Sequence, residues 1–188
     1  MFYSALRRIE NVRTNNDIAT AVVKMWAQIQ HAVVLPLHAA YVSRGALFFV
    51  HEYQPGAISL KSRYLSDPPS SSVPSSSVSS CHVPLDRSIL LPEDLLWSYI
   101  TQCVSALHSI HESCMAVRVL QACHVLMAGH NRIRIGGVGI TDVLEYDSPK
   151  VLEDLQRRDL HDLGTLILSL ATRRENAVLQ GGKKIIYY

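Results

Sequence analysis

The sequence predicts an α+β fold, on three observations. Hydrophobic residues make up 48% of the 188 residues and charged residues 18%, which is enough apolar material for a globular core. Periodic segments follow in the order strand, helix, two strands, long helix, short strands, long helix. A stretch rich in serine and proline separates two blocks, so we predict an ordered unit over 1–65, an insert over 66–90, a second unit over 91–175 and a tail of unknown structure over 176–188.

The first block contains three predicted strands and one helix. Residues 3–9 are typical of a strand, and residues 33–42 and 46–52 of two more, joined at Ser43-Arg44-Gly45. A helix is expected from Asn15 or Asn16 to about Gln30, because either asparagine can cap it and apolar residues recur on one face at helical spacing, namely Ile18, Val22, Met25, Trp26 and Ile29.

The insert over 66–90 has a composition that disfavours order. Eight serines lie between Ser70 and Ser80, and prolines accompany them. Such a segment cannot bury enough apolar surface to offset the entropy of ordering its chain. We therefore expect a disordered insert, either a passive linker or a phosphorylation target.

The second block opens with Pro92-Glu93-Asp94, which suits the first turn of a helix because proline needs no hydrogen-bond donor there and acids favour the positive end. Helical spacing continues to about Glu112. Short strands are expected over 117–119, 124–127 and 133–135, then a helical turn over 140–145 and a final helix over 152–172.

Residues 113–139 have the outline of the catalytic and metal loops of a protein kinase, which carries H-R-D-L-x-x-x-N and then D-F-G. The apolar frame is kept here, but Val119 stands at the catalytic aspartate, His124 at the metal-binding asparagine and Gly137 at the D-F-G aspartate. The predicted fold is therefore a truncated protein-kinase-like (pseudokinase) fold. It comprises a partial N-lobe sheet with helix C and a mainly helical partial C-lobe.

The same positions predict no enzymatic activity and no catalytic residues. Phosphoryl transfer needs a third-strand lysine held by a helix-C glutamate, a catalytic base and magnesium ligands. This chain offers Arg7 at the lysine position and no glutamate between Asn15 and Gln30. Only nineteen residues, 140–158, separate Gly139 from the following Asp159-Leu160-His161-Asp162 motif, too few for a substrate platform.

The sequence gives little support for a metal site, a membrane span or a redox-active cysteine pair. The three-residue spacing of His108, His111 and Cys114 could gather a metal, but histidines at a helix C-terminus are the more typical explanation, so no metal site is predicted. Net charge is +2, no apolar run approaches a membrane span, and the four cysteines form no C-x-x-C pair. A soluble cytoplasmic protein, without a membrane partner, is expected.

At this point the residues resemble one family. Its features run along most of the chain, namely Ala5-Leu6-Arg7-Arg8-Ile9, Met25-Trp26, Leu91-Pro92-Glu93, Leu96-Trp97-Ser98-Tyr99-Ile100, Ile110-His111, Arg132-Ile133-Arg134-Ile135 and residues 139–144. The series is similar to the pseudokinase regulatory subunit (subunit 3) of the poly(A)-nuclease (PAN) deadenylation complex, from about Ala5 to Thr172. The third-strand Arg7-Arg8 and the Leu-Pro-Glu to Tyr-Ile run are its specific elements.

The resemblance implies a non-catalytic adaptor that recruits a catalytic deadenylase subunit to mRNA poly(A) tails, in mRNA processing and decay. It further implies ATP bound without hydrolysis, homodimers, poly(A)-binding protein as a partner, weak or indirect contact with poly(A) RNA, and a cytoplasmic location that includes processing bodies. The implied nucleotide contacts are Arg7, Glu52, Tyr53, Gln54, Pro55, Gly56, Ala57, Ile58, Ser59, Cys123 and His124.

Two departures from that family pattern are visible. Cys123 and His124 stand where a small hydroxyl residue and a lysine are usual, and Glu52 replaces an aspartate. The Gly-rich loop, the later C-lobe helices and the family's other domains are not found in these residues. We therefore expect a fragment, a truncated isoform or a gene-model error, and a chain that is aggregation-prone or poorly folded alone. The alternative function is a generic ATP-binding pseudokinase scaffold for signalling, without phosphotransfer.

Overall fold

A computed structural model describes residues 4–10, 15–65, 91–148 and 150–173. The first block builds a three-stranded antiparallel sheet in the order β1-β3-β2, from β1 (Ser4–Glu10), β2 (Leu37–Ser43) and β3 (Ala46–Glu52). Arg44 and Gly45 connect β2 to β3 with φ of 48° and 74°, the left-handed pair that matches the twist of a tight hairpin. Arg7 pairs with Phe49 across β1 and β3.

Helix α1 (Asn16–Trp26) packs on this sheet through one apolar face. The side chain of Asn15 caps the helix, because its Oδ1 accepts a hydrogen bond from the Ile18 backbone N–H at 2.9 Å. Ala19, Val22 and Trp26 are buried on the inner face, at the spacing that one side of a helix presents.

The second block is mainly helical, with a small sheet at its top. Strands β4 (Ile58–Ser59), β5 (Val125–Met127) and β6 (Ile133–Ile135) pair antiparallel in that order. The long helices are α2 (Glu93–Glu112) and α4 (Leu152–Thr172), which pack on each other, and α3 (Ile140–Leu144) is a short turn beneath α1. A π-helical turn, Lys61–Leu65, follows β4 and contacts α4.

The two blocks share one hydrophobic core and are tied by backbone hydrogen bonds. The Leu35 N–H donates to the Ile135 carbonyl at 2.9 Å, and the Ile135 N–H donates to Val33 at 2.6 Å, which makes a parallel bridge between Val34 and Ile135. Buried side chains run without interruption from Val22 and Phe49 in the first block to Ile110 and Leu166 in the second. The α+β architecture predicted from the sequence is confirmed, and a cleft lies between the two blocks.

The structure corrects three secondary-structure predictions and adds two short elements that the sequence did not predict. Helix α1 ends at Trp26 and not near Gln30, and β2 begins at Leu37 and not at residue 33, because the chain between them turns to form the bridge to Ile135. Residues 117–119 are not a strand, since Arg118 has a left-handed φ of 62°. Strand β4 and the π-helical turn were not predicted, as two to five residues carry too little periodicity.

Some predictions fall on residues that the structure does not describe. The insert over 66–90, including Cys81, and the tail over 176–188 lie outside the described residues. Cys103, Cys114 and Cys123 are free thiols. Within the described ranges, none of the helices combines the length and the hydropathy that crossing a membrane requires.

Candidate functional site

The candidate site is a cleft of about 170 Å³ between the two sheets. Its walls come from β1 and β3 above and from the chain around β5 and β6 below. Gly136 and Gly137 contribute backbone to it, and none of the described lining residues is a carboxylate. The lining residues are Arg7, Leu35, His51, Cys123, His124, Leu126, Gly136 and Gly137.

Arg7 and His124 meet across this cleft. The Arg7 guanidinium Nη1 donates a hydrogen bond to His124 Nε2 at 3.1 Å, while His124 Nδ1 donates to the Val119 carbonyl at 3.2 Å. These partners define a neutral imidazole protonated on Nδ1. Burial, together with the Arg7 charge, lowers the pKa of His124 below its ordinary value. Arg7 therefore has an imidazole as its partner, where a kinase would place a helix-C glutamate.

His51 is the second histidine of the cleft, and it is only 5% exposed. Its ring stacks on Phe49 with centroids 6.5 Å apart, and neither ring nitrogen reaches a hydrogen-bond partner among the described residues. Burial lowers its pKa to about 4, with Arg7 and His38 acting in the same direction. The Pro36 carbonyl opposes this shift without attaining hydrogen-bond geometry. His51 is therefore neutral and unsatisfied at neutral pH.

Gly137 brings backbone, and no side chain, to the floor of the cleft. Its φ is +75°, and a Cβ built there would lie 3.6 Å from both Arg7 Nη1 and His124 Cδ2. The D-F-G aspartate of a kinase would project from this position. With glycine at this position, the described lining contains no acidic side chain beside Arg7.

Beneath the cleft, Asp159 holds the former catalytic loop. This carboxylate on α4 is fully buried and accepts three hydrogen bonds, from the Val117 N–H at 2.7 Å, the Arg118 N–H at 2.8 Å and His111 Nε2 at 2.9 Å. Gln156, one turn earlier on α4, donates to the carbonyls of His111 and Met115. The loop conformation is therefore set by side chains of α4.

Arg118 extends this bonding to helix α1. Its guanidinium pairs with Asp142 at 3.0 Å and also with Glu145, and Asp142 accepts a hydrogen bond from the Trp26 indole N–H at 2.8 Å. The hydrogen bond from Lys150 lowers the pKa of Glu145, which keeps this carboxyl ionised. Residues 145–151 separate α3 from α4, within one residue of the connection that the sequence predicted. The guanidinium of Arg118 is thus engaged in ion pairs within the protein, with Asp142 and Glu145.

The structure brings together three of the predicted nucleotide contacts, Arg7, Cys123 and His124. The predicted run from Glu52 to Ser59 connects β3 to β4 and does not line the cleft, so its role stays a prediction. His51 was missed, although the alternating burial of Leu47, Phe49 and His51 along β3 is the pattern that would have indicated it. Leu35, Leu126 and Gly136 were missed as well.

No metal centre was predicted, and in the described part of the chain no group of three histidine, cysteine or acidic residues is arranged to hold one. His111, one of the three residues with metal-like spacing, bonds to Asp159. His108 lies against Glu112 at 3.3 Å on the exposed side of α2. The two histidines therefore have separate partners.

No protein-family model matches the chain. Among curated proteins, the PAN2-PAN3 deadenylation complex subunit pan3 of Dictyostelium discoideum is 37% identical over 174 residues, which are 90% of this chain and 21% of that protein. The corresponding subunit of Emericella nidulans is 34% identical over 190 residues, 99% of this chain and 27% of the relative. The chain thus spans roughly a quarter of the length of these relatives.

Solved structures are similar over most of the chain. A complex of Neurospora crassa PAN2 (WD40-CS1) with PAN3 (pseudokinase and C-term) matches with a TM-score of 0.79 at 33% identity, covering 94% of this chain and 41% of the solved one. The Drosophila melanogaster PAN3 pseudokinase matches with a TM-score of 0.77 at 27% identity, covering 94% and 44%. By sequence and by structure, the chain is a relative of the PAN3 subunits and carries part of their pseudokinase fold.

Proposed function

We propose that this chain is the pseudokinase part of a non-catalytic adaptor in a PAN2–PAN3-type deadenylation complex. Its role is to recruit the catalytic poly(A)-specific ribonuclease to mRNA poly(A) tails. The curated relatives are subunits of such complexes, and one similar solved structure pairs PAN3 with PAN2. Homodimerisation, contact with poly(A)-binding protein and poly(A) RNA, and a cytoplasmic location belong to the same proposal.

The observation that carries the non-catalytic role is the bonding of the former catalytic loop. Asp159 and Gln156 hold its backbone, and Arg118 is paired with Asp142 and Glu145. Val119 at the base position offers the cleft only a carbonyl, which already accepts from His124. A substrate hydroxyl would meet no carboxylate at the position of the kinase base, so the loop serves as a scaffold.

ATP bound without hydrolysis is part of the proposal, and the cleft suits its phosphates. Arg7 supplies a planar guanidinium, a group that recognises phosphate well, and Gly136 and Gly137 leave the floor open. His51 contributes buried nitrogens that need a polar partner. When bound, ATP would supply polyanionic charge that joins the two blocks; Arg7, His124 and Cys123 are the residues to hold it.

Co-purification tests the adaptor role. The chain, tagged and co-expressed with the catalytic deadenylase subunit of the same organism, is expected to retain that subunit through washing. A matched variant, Arg118→Ala, disrupts the loop scaffold and should weaken retention. Absence of any association, with a chain shown to be folded by its circular dichroism, would sink the adaptor proposal.

The generic ATP-binding scaffold remains the second candidate, and the cleft is the observation that favours it. ATP at a hundred times its dissociation constant should raise the free energy of unfolding by about 2.7 kcal/mol. A melting shift with ATP but no association with the deadenylase subunit would favour this candidate. Transfer of labelled phosphate to any protein would contradict both.

A further inference from the structure

We propose that this cleft binds the phosphates of a nucleotide together with a proton and without a divalent cation. Protonated His124 and His51 would add positive charge beside Arg7, in the place that magnesium occupies in a kinase. This inference rests on the proposed nucleotide binding and specifies its chemistry. The proton comes from the solvent, and no covalent bond of the nucleotide changes.

The lining of the cleft is the first argument. Magnesium is held in nucleotide sites by carboxylates, with the phosphates completing its coordination. Arg7, His51 and His124 are the ionisable nitrogen groups of the described lining, which contains no carboxylate. Gly137, which the sequence places at the D-F-G aspartate position, has no side chain to reach a metal. A divalent cation would therefore find repulsion here, and an anion would find attraction.

The second argument is the hydrogen bond between Arg7 and His124. In the ligand-free cleft, His124 Nε2 accepts from Arg7 Nη1 at 3.1 Å. A phosphate that takes over the Arg7 guanidinium removes that donor and leaves Nε2 facing the same anion. Protonation turns Nε2 from an acceptor into a donor, while Nδ1 keeps its bond to the Val119 carbonyl. Anion binding and proton uptake are then favourable together.

His51 makes the third argument, because its nitrogens are buried and unpartnered in the described structure. The groups that face it are the Arg7 guanidinium on β1 and His38 on β2, and both disfavour its protonated form. Those that face His124 are Arg7 and the Val119 carbonyl. Negative charge placed between Arg7 and the two rings reverses this balance.

The sign of the pH dependence follows from these pKa directions. Both free-state pKa values are lowered, and a bound anion raises them. Between the free and the bound pKa, binding takes up a proton, so affinity rises as pH falls through the bound pKa. Below the free pKa the rings are already protonated and the dependence levels off. One linked proton gives at most about a tenfold change per pH unit.

Isothermal titration of the chain with ATP in excess EDTA measures the effect. Titrations in two buffers of different ionisation enthalpy give the number of protons taken up, and we expect about one. Affinity should be about tenfold higher at pH 6 than at pH 8, and added magnesium should not strengthen it. Inorganic tripolyphosphate, used as a second probe, should show the same proton uptake without the base and sugar.

Variants separate the protein's protons from those of ATP itself. His124→Gln should lose most of the proton uptake while retaining weaker binding, and His51→Gln should lose the remainder. His130→Gln, an exposed histidine of the Gly129-His130-Asn131 turn, is the matched control and should behave like the parent chain. Gly137→Asp returns an acid to the cleft and should weaken magnesium-free binding at least tenfold.

The outcomes distinguish this inference from the proposed function. Magnesium-dependent, pH-independent ATP binding would overturn the inference and leave the ATP-binding adaptor intact. Proton uptake unchanged in both histidine variants would overturn it too. No binding of ATP or tripolyphosphate at either pH would overturn both the inference and the nucleotide part of the proposal, without touching retention of the deadenylase subunit.

Discussion

The two sides of the former catalytic loop differ in how completely their polar groups are bonded. On the side toward α4, Asp159 accepts three hydrogen bonds and Arg118 is paired with two carboxylates. On the side toward the cleft, the His51 ring nitrogens have no hydrogen-bond partner in the described structure and Gly137 presents only backbone. The difference indicates that the fold maintains the loop's position, whereas the surface facing the ligand is left open for a binding group.

Removing the Asp159 carboxylate should have the largest effect on stability, because three hydrogen bonds that hold the loop are lost. Asp159→Ala leaves two buried N–H groups without an acceptor and is expected to lower the free energy of unfolding by about 3–5 kcal/mol. Urea denaturation measures this. Asp154→Ala on the same helix removes an exposed pair with Arg157 and should cost only about 0.5 kcal/mol. Equal losses in the two variants would contradict the scaffold role of Asp159.

The second-largest effect is expected at Gly139, which packs against Leu37 of β2 and Trp26 of α1. A Cβ there would lie 2.7 Å from Leu37 Cδ2 and 3.3 Å from Trp26 Cδ1, and φ is +80°. Overpacking and left-handed strain together predict a loss of about 3 kcal/mol for Gly139→Ala. The control is Gly164→Ala, in open space within α4, which should be neutral or stabilising by up to about 1 kcal/mol. Thermal or urea melts of the pair compare them directly.

On the side toward the cleft, the buried neutral His51 should make the free energy of unfolding depend on pH. The folded-state pKa of His51 is about 4, below the ordinary 6.5, so the unfolded chain binds more protons between these values. Stability from this group is complete above pH 6.5 and falls by about 2 kcal/mol at pH 5. His51→Phe keeps a ring beside Phe49 and should remove that loss.

His130→Phe is the control for this measurement, since His130 is exposed and lies outside the cleft. Urea midpoints of the parent chain and both variants at pH 7.5 and pH 5 give the comparison. If His51→Phe and the parent chain lose the same stability on acidification, His51 is not the buried neutral group described here.

Strong periodicity carried most of the fold prediction. Helix α4, strand β3 and helix α2 lie within a residue or two of their predicted ranges, because each is long enough for its apolar residues to define a face. The Val-Arg-Val alternation at residues 117–119 was misleading. The backbone N–H groups of Val117 and Arg118 bond to a carboxylate 42 and 41 residues away, which local alternation cannot indicate.

The sequence predicted which residues line the cleft at Arg7, Cys123 and His124, but not the hydrogen bonds that these residues make. The family resemblance placed Arg7 and His124 among the implied nucleotide contacts, and the structure joins their side chains by a hydrogen bond of 3.1 Å. Their mutual hydrogen bond spans 117 positions and depends on the sheet register and on the loop conformation that Asp159 maintains. The burial of His51 likewise depends on which face of β3 packs inward, and that choice is made by the whole sheet.

The bridge between Val34 and Ile135 joins two segments that are far apart in the sequence. Backbone hydrogen bonds and a continuous core join residues 15–65 to residues 91–173 without help from the covalent path between Leu65 and Leu91. Strand β4 already belongs to the sheet of the second block, so the described part of the first segment forms β-pairs with the second at β4 and at Val34. The two described segments are therefore held together by the kinds of contact that join the subunits of a dimer, backbone hydrogen bonds and a shared apolar core.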